Sequence, residues 1–172
     1  LIKENKQVLE QALKADLGKS PFESWVAELG FTINEIDHTL AHLDEWVRPE
    51  TVSTPLAFQP AHSEIRSEPL GVVLIIGPWN YPVQLVLAPL IGALAAGNCA
   101  ILKPSEVAGA CSAAVAQLVP KYLDPQAVRV VEGAVPETSA LLDLPFDHIF
   151  FTGGPAVGRI VMQAAAKHLC PV

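Results

Sequence analysis

Cysteine and basic residues are both scarce in this chain of 172 residues. The three cysteines are Cys99, Cys111 and Cys170, and no pair has the spacing of a zinc or redox motif. Buried free thiols in a reducing compartment are therefore favoured over disulfides, and no signal peptide is recognisable, so we expect a cytoplasmic protein. The net charge is −7 without a cluster of Lys or Arg, which argues against nucleic-acid binding through a basic face. No metal site is predicted.

Charged residues are missing altogether from Gly71 to Leu102, a run longer than a bilayer span requires. Pro78, Pro82 and Pro89 interrupt this run, as do several glycines. A spanning helix rarely tolerates breaks at this density, so the run divides better into strand, turn, helix, turn and strand. No membrane span is predicted in this segment.

The hydrophobic fraction of 51% and the mean hydropathy of +0.35 are high for a complete small domain. The sequence starts without methionine and stops where a helix has barely finished. We therefore expect a piece of a longer chain, with apolar surface that would pack on the missing part. The alternative is a self-contained apolar domain.

Two helices are predicted at the amino-terminal end. Leucines four residues apart indicate the first, and Ser20 followed by Pro21 and Glu23 has the pattern of a capping box that starts the second. The second helix would end near Val47, with one apolar face formed by Leu29, Ile33, Ile36, Leu40, Leu43 and Val47. Core packing is the favoured interpretation of this face, and a coiled coil is the alternative.

Strands and helices then alternate to the end of the chain. Residues 48–60 are punctuated by proline and predict an extended connector. Four apolar strands follow, separated by helices, of which the first is expected to be kinked or broken near Pro89 and closed by Gly97. This alternation predicts an α/β fold with a Rossmann-like parallel sheet and helices on both faces, preceded by the amino-terminal helices. We divide the chain into residues 1–60 (helices and connector) and 61–172 (partial dinucleotide-binding domain).

The segment VVLIIGPWNYP stops a buried strand at Gly77 and brings an amide, Asn80, to its carboxyl end, between Pro78 and Pro82. Ligands bind at the carboxyl ends of strands in open α/β sheets. A fixed amide donor is what a developing oxyanion needs, at about 3 kcal/mol for one donor. The alternative is an asparagine that serves only its own turn.

Two further segments end strands with polar or glycine-rich turns. In ILKPSE, Lys103 and Glu106 can together bind a ribose diol, although a solvated surface turn explains the same pattern. In FFTGGPAVG, a strand runs through Gly153 into a helix, which is an arrangement that binds anions such as phosphate. The spacing is not the common GxGxxG fingerprint, so glycine used only for turn geometry is the alternative.

Three segments, taken together and in this order, resemble the aldehyde dehydrogenase superfamily, and its class 3 and fatty-aldehyde branch in particular. They are GPWNYP, AAGNCAILKPSE and FFTGGPAVGRIVMQAAAKHLCPV. The resemblance covers essentially the whole chain. It implies that Asn80 donates to the aldehyde oxygen as a thiohemiacetal forms, and that Lys103 and Glu106 hold the adenosine ribose. The other cofactor-binding residues that it implies are Ile76, Gly77, Pro78, Trp79, Gly133, Gly153, Gly154, Val157 and Gly158.

The resemblance also implies NAD(P)-dependent oxidation of an aldehyde to a carboxylic acid through a cysteine thioester, in a homo-oligomer, most simply a dimer. The nucleophilic cysteine, the general-base glutamate and the catalytic domain would lie beyond Val172. The chain alone is therefore expected to be inactive, and any membrane anchor would belong to a missing tail. A glutamate near the ribose favours NAD, with NADP as the alternative. Other interpretations are a truncated module that binds nucleotide or assembles, and an acyl reductase of the same fold.

The glycine turn departs from the family pattern at two positions. Gly154 stands where the family often has a hydroxyl or amide side chain, and Pro155 removes a main-chain N–H. We expect weaker binding of a pyrophosphate at this turn.

Overall fold

The amino-terminal quarter of the chain is helical in the computed structural model, which describes residues 1–172. Its elements are α1 (Lys6–Leu17), α2 (Pro21–Ser24), a π-helical turn (Trp25–Leu29) and α3 (Gly30–Trp46). The two predicted helices are confirmed, with the second divided by the π turn. Ser20 caps α2, because its Oγ accepts a hydrogen bond from the Glu23 N–H at 3.1 Å. The Glu23 side chain makes no return bond, so only half of the predicted capping box forms.

A small antiparallel hairpin follows where an extended connector was predicted. Its strands are β1 (Glu50–Val52) and β2 (Ser63–Ile65), with a 3-10 turn at Leu56–Phe58 between them. The sequence did not indicate this pairing, because each strand has only three residues and prolines fill the loop. The division of the chain at residue 60 stays a prediction.

The predicted alternation of strands and helices is confirmed in the rest of the chain. The elements are β3 (Val72–Ile76), α4 (Gln84–Ala95), β4 (Cys99–Lys103), α5 (Gly109–Tyr122), β5 (Val128–Val130), α6 (Val135–Leu142), β6 (His148–Phe151) and α7 (Pro155–Ala166). α4 runs through Pro89 as one continuous helix, so it is not broken there, and a kink at this position stays a prediction. Proline removes one hydrogen bond there, while Leu87 and Leu90 beside it are buried and hold the helix against its neighbours. Gly97 (φ 81°) ends this helix as predicted.

The four later strands form one parallel sheet in the order β5-β4-β3-β6. The chain builds outward from β3 through β4 to β5 and then returns to place β6 on the other side of β3. This is the strand order of a Rossmann-like sheet, and the direction of winding reverses between β3 and β6. The strands β3, β4 and β6 end level, since Ile76 of β3 pairs with both Lys103 of β4 and Phe151 of β6.

Helices cover both faces of the sheet, as predicted. Val73, Ile75 and Leu102 pack on one face against α1, α3, α4 and α5. Leu74 and Ile149 pack on the other face against α6 and α7. The alternation of side chains along each strand therefore divides the hydrophobic core into two parts.

The apolar face of α3 is only partly buried. Leu29 and Ile33 are in the core, whereas Leu40 is 68% exposed and Val47 is 53% exposed. The prediction of one continuous core-facing stripe is therefore wrong for the second half of the helix. None of the helices combines the length and the hydrophobicity that crossing a membrane would require.

Candidate functional site

A cleft of about 510 Å³ opens at the carboxyl ends of β3, β4 and β6. It lies where the winding of the sheet reverses, the usual ligand position in this type of fold. Eight of the predicted site residues line it: Gly77, Pro78, Trp79, Asn80, Glu106, Gly153, Gly154 and Val157. The three motifs, which are far apart in the sequence, therefore meet at one site.

Four predicted residues are outside the wall of this cleft. Ile76 is the last residue of β3 and is buried in the core, and Gly158 lies in α7 against the ring of Phe151. Gly133 follows β5 with φ 144°, beside Glu137. Lys103 ends β4 with only 2% of its surface exposed. Their roles in binding a ligand stay predictions.

The cleft also has lining residues that the sequence reasoning missed: Leu85, Ser105, Val107, Phe151 and Thr152. Ser105 and Thr152 are the polar ones, and each stands inside a motif that was recognised for its neighbours. Their position in the turn after a strand end was the available signal.

The turn after β3 holds Asn80 at the mouth of the cleft. The Gly77 N–H donates to the Lys103 carbonyl at 3.1 Å, so the turn leaves the sheet level with the end of β4. A Cβ at Gly77 would collide with Val86 of α4, which explains the glycine. Asn80 is exposed, and so is the neighbouring Trp79. The amide of Asn80 is therefore accessible to a ligand in the cleft.

Lys103 and Glu106 are neighbours but face different surroundings. The Lys103 Nζ donates to the Pro104 carbonyl at 2.6 Å and lies 3.4 Å from Glu106 Oε2. The side chain of Glu106 is 46% exposed, and it is Glu106 that reaches the cleft wall. The lysine instead is buried, and its ammonium group donates within its own loop.

The glycine turn after β6 leaves open space in front of α7. The Thr152 N–H donates to the Ile76 carbonyl at 3.1 Å, which aligns the turn with the end of β3. A Cβ at Gly153 would lie 2.5 Å from Cζ of Phe151, whereas a Cβ at Gly154 would meet nothing within 4 Å. The first glycine is thus required for packing, and the second borders open space.

The amino terminus of α7 is also distinguished by the absence of a carboxylate. At the start of each other helix that follows a strand of the parallel sheet, an acidic side chain accepts hydrogen bonds from main-chain N–H groups. Glu28 accepts from Val83 and Gln84 at α4, Asp16 from Ala110 and Cys111 at α5, and Glu137 from Ala134 at α6. Such bonds, from its own N–H and that of Ala134, lower the pKa of Glu137. α7 has no side-chain cap. Its positive end is therefore available to an anion in the cleft.

The cysteines do not contribute to this site. Burial raises the pKa of the Cys111 thiol, and the nearby Asp16 carboxylate raises it further. Burial likewise raises the pKa of Cys170. No group of three or more His, Cys, Asp or Glu side chains is arranged to hold a metal ion. A second cavity of about 570 Å³, between α3 and α4, is lined mainly by aliphatic side chains and lies away from the strand ends.

Comparison with known proteins agrees with this fold. The model of the aldehyde dehydrogenase family matches residues 1–172. Aldehyde dehydrogenase family 3 member B1 of Bos taurus is 53% identical over 171 residues, which are 99% of this chain and 36% of that protein. The substrate-bound structure of Staphylococcus aureus AldH is 45% identical, with a TM-score of 0.96, over 99% of this chain and 37% of that one. The aldehyde dehydrogenase of Mycobacterium tuberculosis, solved with NAD⁺, is 28% identical, with a TM-score of 0.86, over 99% of this chain and 35% of that one.

The chain spans about a third of the length of the curated relatives that it matches. Within that third the match is continuous, from the amino-terminal helices through α7. The chain therefore belongs to the aldehyde dehydrogenase family.

Proposed function

We propose that this chain is the cofactor-binding and oxyanion-stabilising part of an NAD(P)-dependent aldehyde dehydrogenase that oxidises an aldehyde to a carboxylic acid. The observation that carries the proposal is that an exposed amide, Asn80, and the uncapped end of α7 open on one cleft. The Asn80 amide can thus donate a hydrogen bond to a carbonyl oxygen, while the start of α7 can bind a phosphate in the same cleft.

The residues of the cleft fit a dinucleotide. The main-chain N–H groups at the start of α7 and the open space at Gly154 suit a pyrophosphate, although Pro155 supplies no donor. Glu106 is placed to accept hydrogen bonds from a ribose diol, and its charge would repel a 2′-phosphate, which favours NAD over NADP. Lys103 Nζ donates to the Pro104 carbonyl and lies near Glu106, which leaves one of its three N–H groups for the same ribose. When bound, the nicotinamide supplies the acceptor for the substrate's hydride.

Asn80 would act on the carbonyl oxygen of the aldehyde. As that oxygen gains negative charge, the amide N–H donates to it, and one fixed donor of this kind is worth about 3 kcal/mol. The nucleophilic cysteine and the general base would come from parts of the protein outside this sequence. The buried thiol of Cys111 is not a substitute, since its pKa is raised and the attacking form is the thiolate.

The remaining parts of the proposal are a small-molecule aldehyde as substrate, a homo-oligomer that is most simply a dimer, and a cytoplasmic location. They rest on the motifs shared with the family rather than on a contact within the chain.

The test uses the full-length protein that carries this segment, assayed for aldehyde oxidation with NAD and with NADP. We expect turnover with NAD, and a loss of about 10²–10³-fold in kcat/KM for Asn80→Ala, because one oxyanion donor is removed. The dissociation constant of NAD, measured by titration, should change little. Wild-type kcat/KM in the variant would refute the role of Asn80. Turnover only in the direction of acyl reduction, or turnover by the 172-residue chain alone, would contradict the proposal as a whole.

A further inference from the structure

We propose that Lys19 and Glu28 are positioning residues for Asn80, acting as a buried ion pair that fixes the main chain of the catalytic turn. The inference rests on the proposed function of Asn80. It concerns two residues of the amino-terminal region, Lys19 between α1 and α2 and Glu28 in the π turn, neither of which lines the cleft.

The pair joins the helical region directly to the turn. Lys19 Nζ lies 2.6 Å from Glu28 Oε1 and donates a second bond to the main-chain carbonyl of Asn80 at 2.8 Å. The ammonium group also lies 4.1 Å from the centre of the Tyr81 ring. Lys19 is 7% exposed and Glu28 is fully buried, so neither charge is solvated by bulk water. The Asn80 carbonyl and the Tyr81 ring, both in the turn, therefore help to stabilise the charge of the buried ammonium group.

The second carboxylate oxygen of Glu28 holds the other end of the same segment. Oε2 accepts from the Val83 N–H at 2.9 Å and from the Gln84 N–H at 3.1 Å, where α4 begins. The five residues from Asn80 to Gln84 are therefore fixed at both ends by one ion pair. A carboxylate at a helix start is also favoured by the helix dipole. The direction in which the Asn80 amide points follows from this fixed main chain.

A local irregularity brings Glu28 to this position. Residues 25–29 form a π turn, in which the Gly30 N–H donates to the Trp25 carbonyl. Thr32 Oγ1 donates to the Glu28 carbonyl at 2.7 Å. A π turn changes which side of the helix the following residues face, and such turns are frequent at functional sites. Here the turn places a charged side chain in the core, against α4.

Breaking a buried pair on one side leaves an unpaired charge, so single variants also destabilise the fold, whereas removing both charges relieves that penalty. In the full-length protein we therefore compare Lys19→Met, Glu28→Gln and the double variant. We expect the double variant to recover most of the lost melting temperature, while kcat/KM for the aldehyde stays lowered about tenfold because Asn80 is no longer held. Recovery of both quantities together would overturn the proposal, since the pair would then be purely structural.

A double-mutant cycle with Asn80→Ala separates positioning from stability. If the pair acts through Asn80, the double charge-removing change should lower kcat/KM about tenfold when Asn80 is present and less than twofold in the Asn80→Ala background. Equal losses in both backgrounds would overturn the positioning role and leave the proposed function of Asn80 intact. No effect of Asn80→Ala by itself would overturn both. Lys14→Met is the matched control, because Lys14 is an exposed lysine of α1 and its loss should leave kcat/KM unchanged.

Discussion

Replacement of Gly30 by alanine gives a sharp test of the π turn in the amino-terminal helices. In an ordinary helix interior, Gly→Ala stabilises a protein by about 0.5–1 kcal/mol, because glycine loses more conformational entropy on folding. At Gly30 the new Cβ would lie 2.8 Å from the main-chain carbonyl oxygen of Trp25 and 3.1 Å from two atoms of its indole ring. The nearest atom belongs to the backbone, so it cannot be displaced by a change of rotamer.

Relief of the main-chain contact requires the backbone to move, with loss or weakening of the hydrogen bond from the Gly30 N–H to the Trp25 carbonyl, and relief of the side-chain contacts requires a shift of the indole. The lost hydrogen bond costs about 1 kcal/mol, and overpacking of a filled site costs about 1–3 kcal/mol. We therefore expect Gly30→Ala to destabilise the protein by about 1–3 kcal/mol, opposite in sign to the usual effect.

Gly92→Ala is the matched control, because Gly92 lies in the middle of α4 and a Cβ there would meet nothing within 4 Å. It should stabilise by about 0.5–1 kcal/mol. Thermal unfolding of both variants, followed by circular dichroism, gives the comparison: the melting temperature should fall for Gly30→Ala and rise for Gly92→Ala. A rise for both variants would refute the reasoning, since it would mean that the turn adapts to alanine without strain.

Two further predictions follow from the titrating groups. Cys111 should resist alkylation by iodoacetamide in the folded protein and react once the protein is denatured, because burial and Asp16 raise the pKa of its thiol. Peptide mass mapping measures the labelling, with Cys99 and Cys170 as internal references. Rapid labelling of Cys111 in the native protein would contradict the prediction. Glu137 has a pKa below its usual value of 4.5, so its carboxylate contributes stability above that pH and loses it as the pH falls through the lower folded value. Glu137→Gln should therefore lower the melting temperature at neutral pH by an amount that shrinks in acid, and a difference that is constant with pH would count against the bond to Ala134.

Much of the fold could be predicted because its signals are local. Ser20 and Pro21 mark a helix start wherever the rest of the chain lies, and Gly97 marks a helix end for the same reason. The alternation of apolar strands with helices implies a parallel sheet covered on both faces. The short pairing of β1 with β2 and the exposure of Leu40 were not predictable in this way, since each depends on what packs nearby.

Most of the candidate site was predictable for a related reason. Asn80, Glu106 and Gly154 lie in the turns that follow β3, β4 and β6, and the carboxyl ends of parallel strands meet at one edge of a sheet. Lys103 is the last residue of β4, yet it is only 2% exposed and does not line the cleft, and its Nζ donates to the adjacent Pro104 carbonyl. A sequence pattern indicates that a side chain lies near the carboxyl edge of the sheet, but it does not indicate the direction in which the side chain points.

By itself, then, the sequence determined the order of the elements from β3 to α7, the class of the sheet and the motifs that end its strands, since these depend on near neighbours along the chain. Only the tertiary structure decided that β6 lies beside β3, that Asp16 bonds to the start of α5 and that Lys19 and Glu28 hold the Asn80 turn. The side-chain contacts among them join distant residues, for example Lys19 with Asn80, 61 positions apart, and Asp16 with Cys111, 95 positions apart. They form because packing of the helices on the sheet buries charged groups that must find partners, and that requirement arises only once the chain is folded.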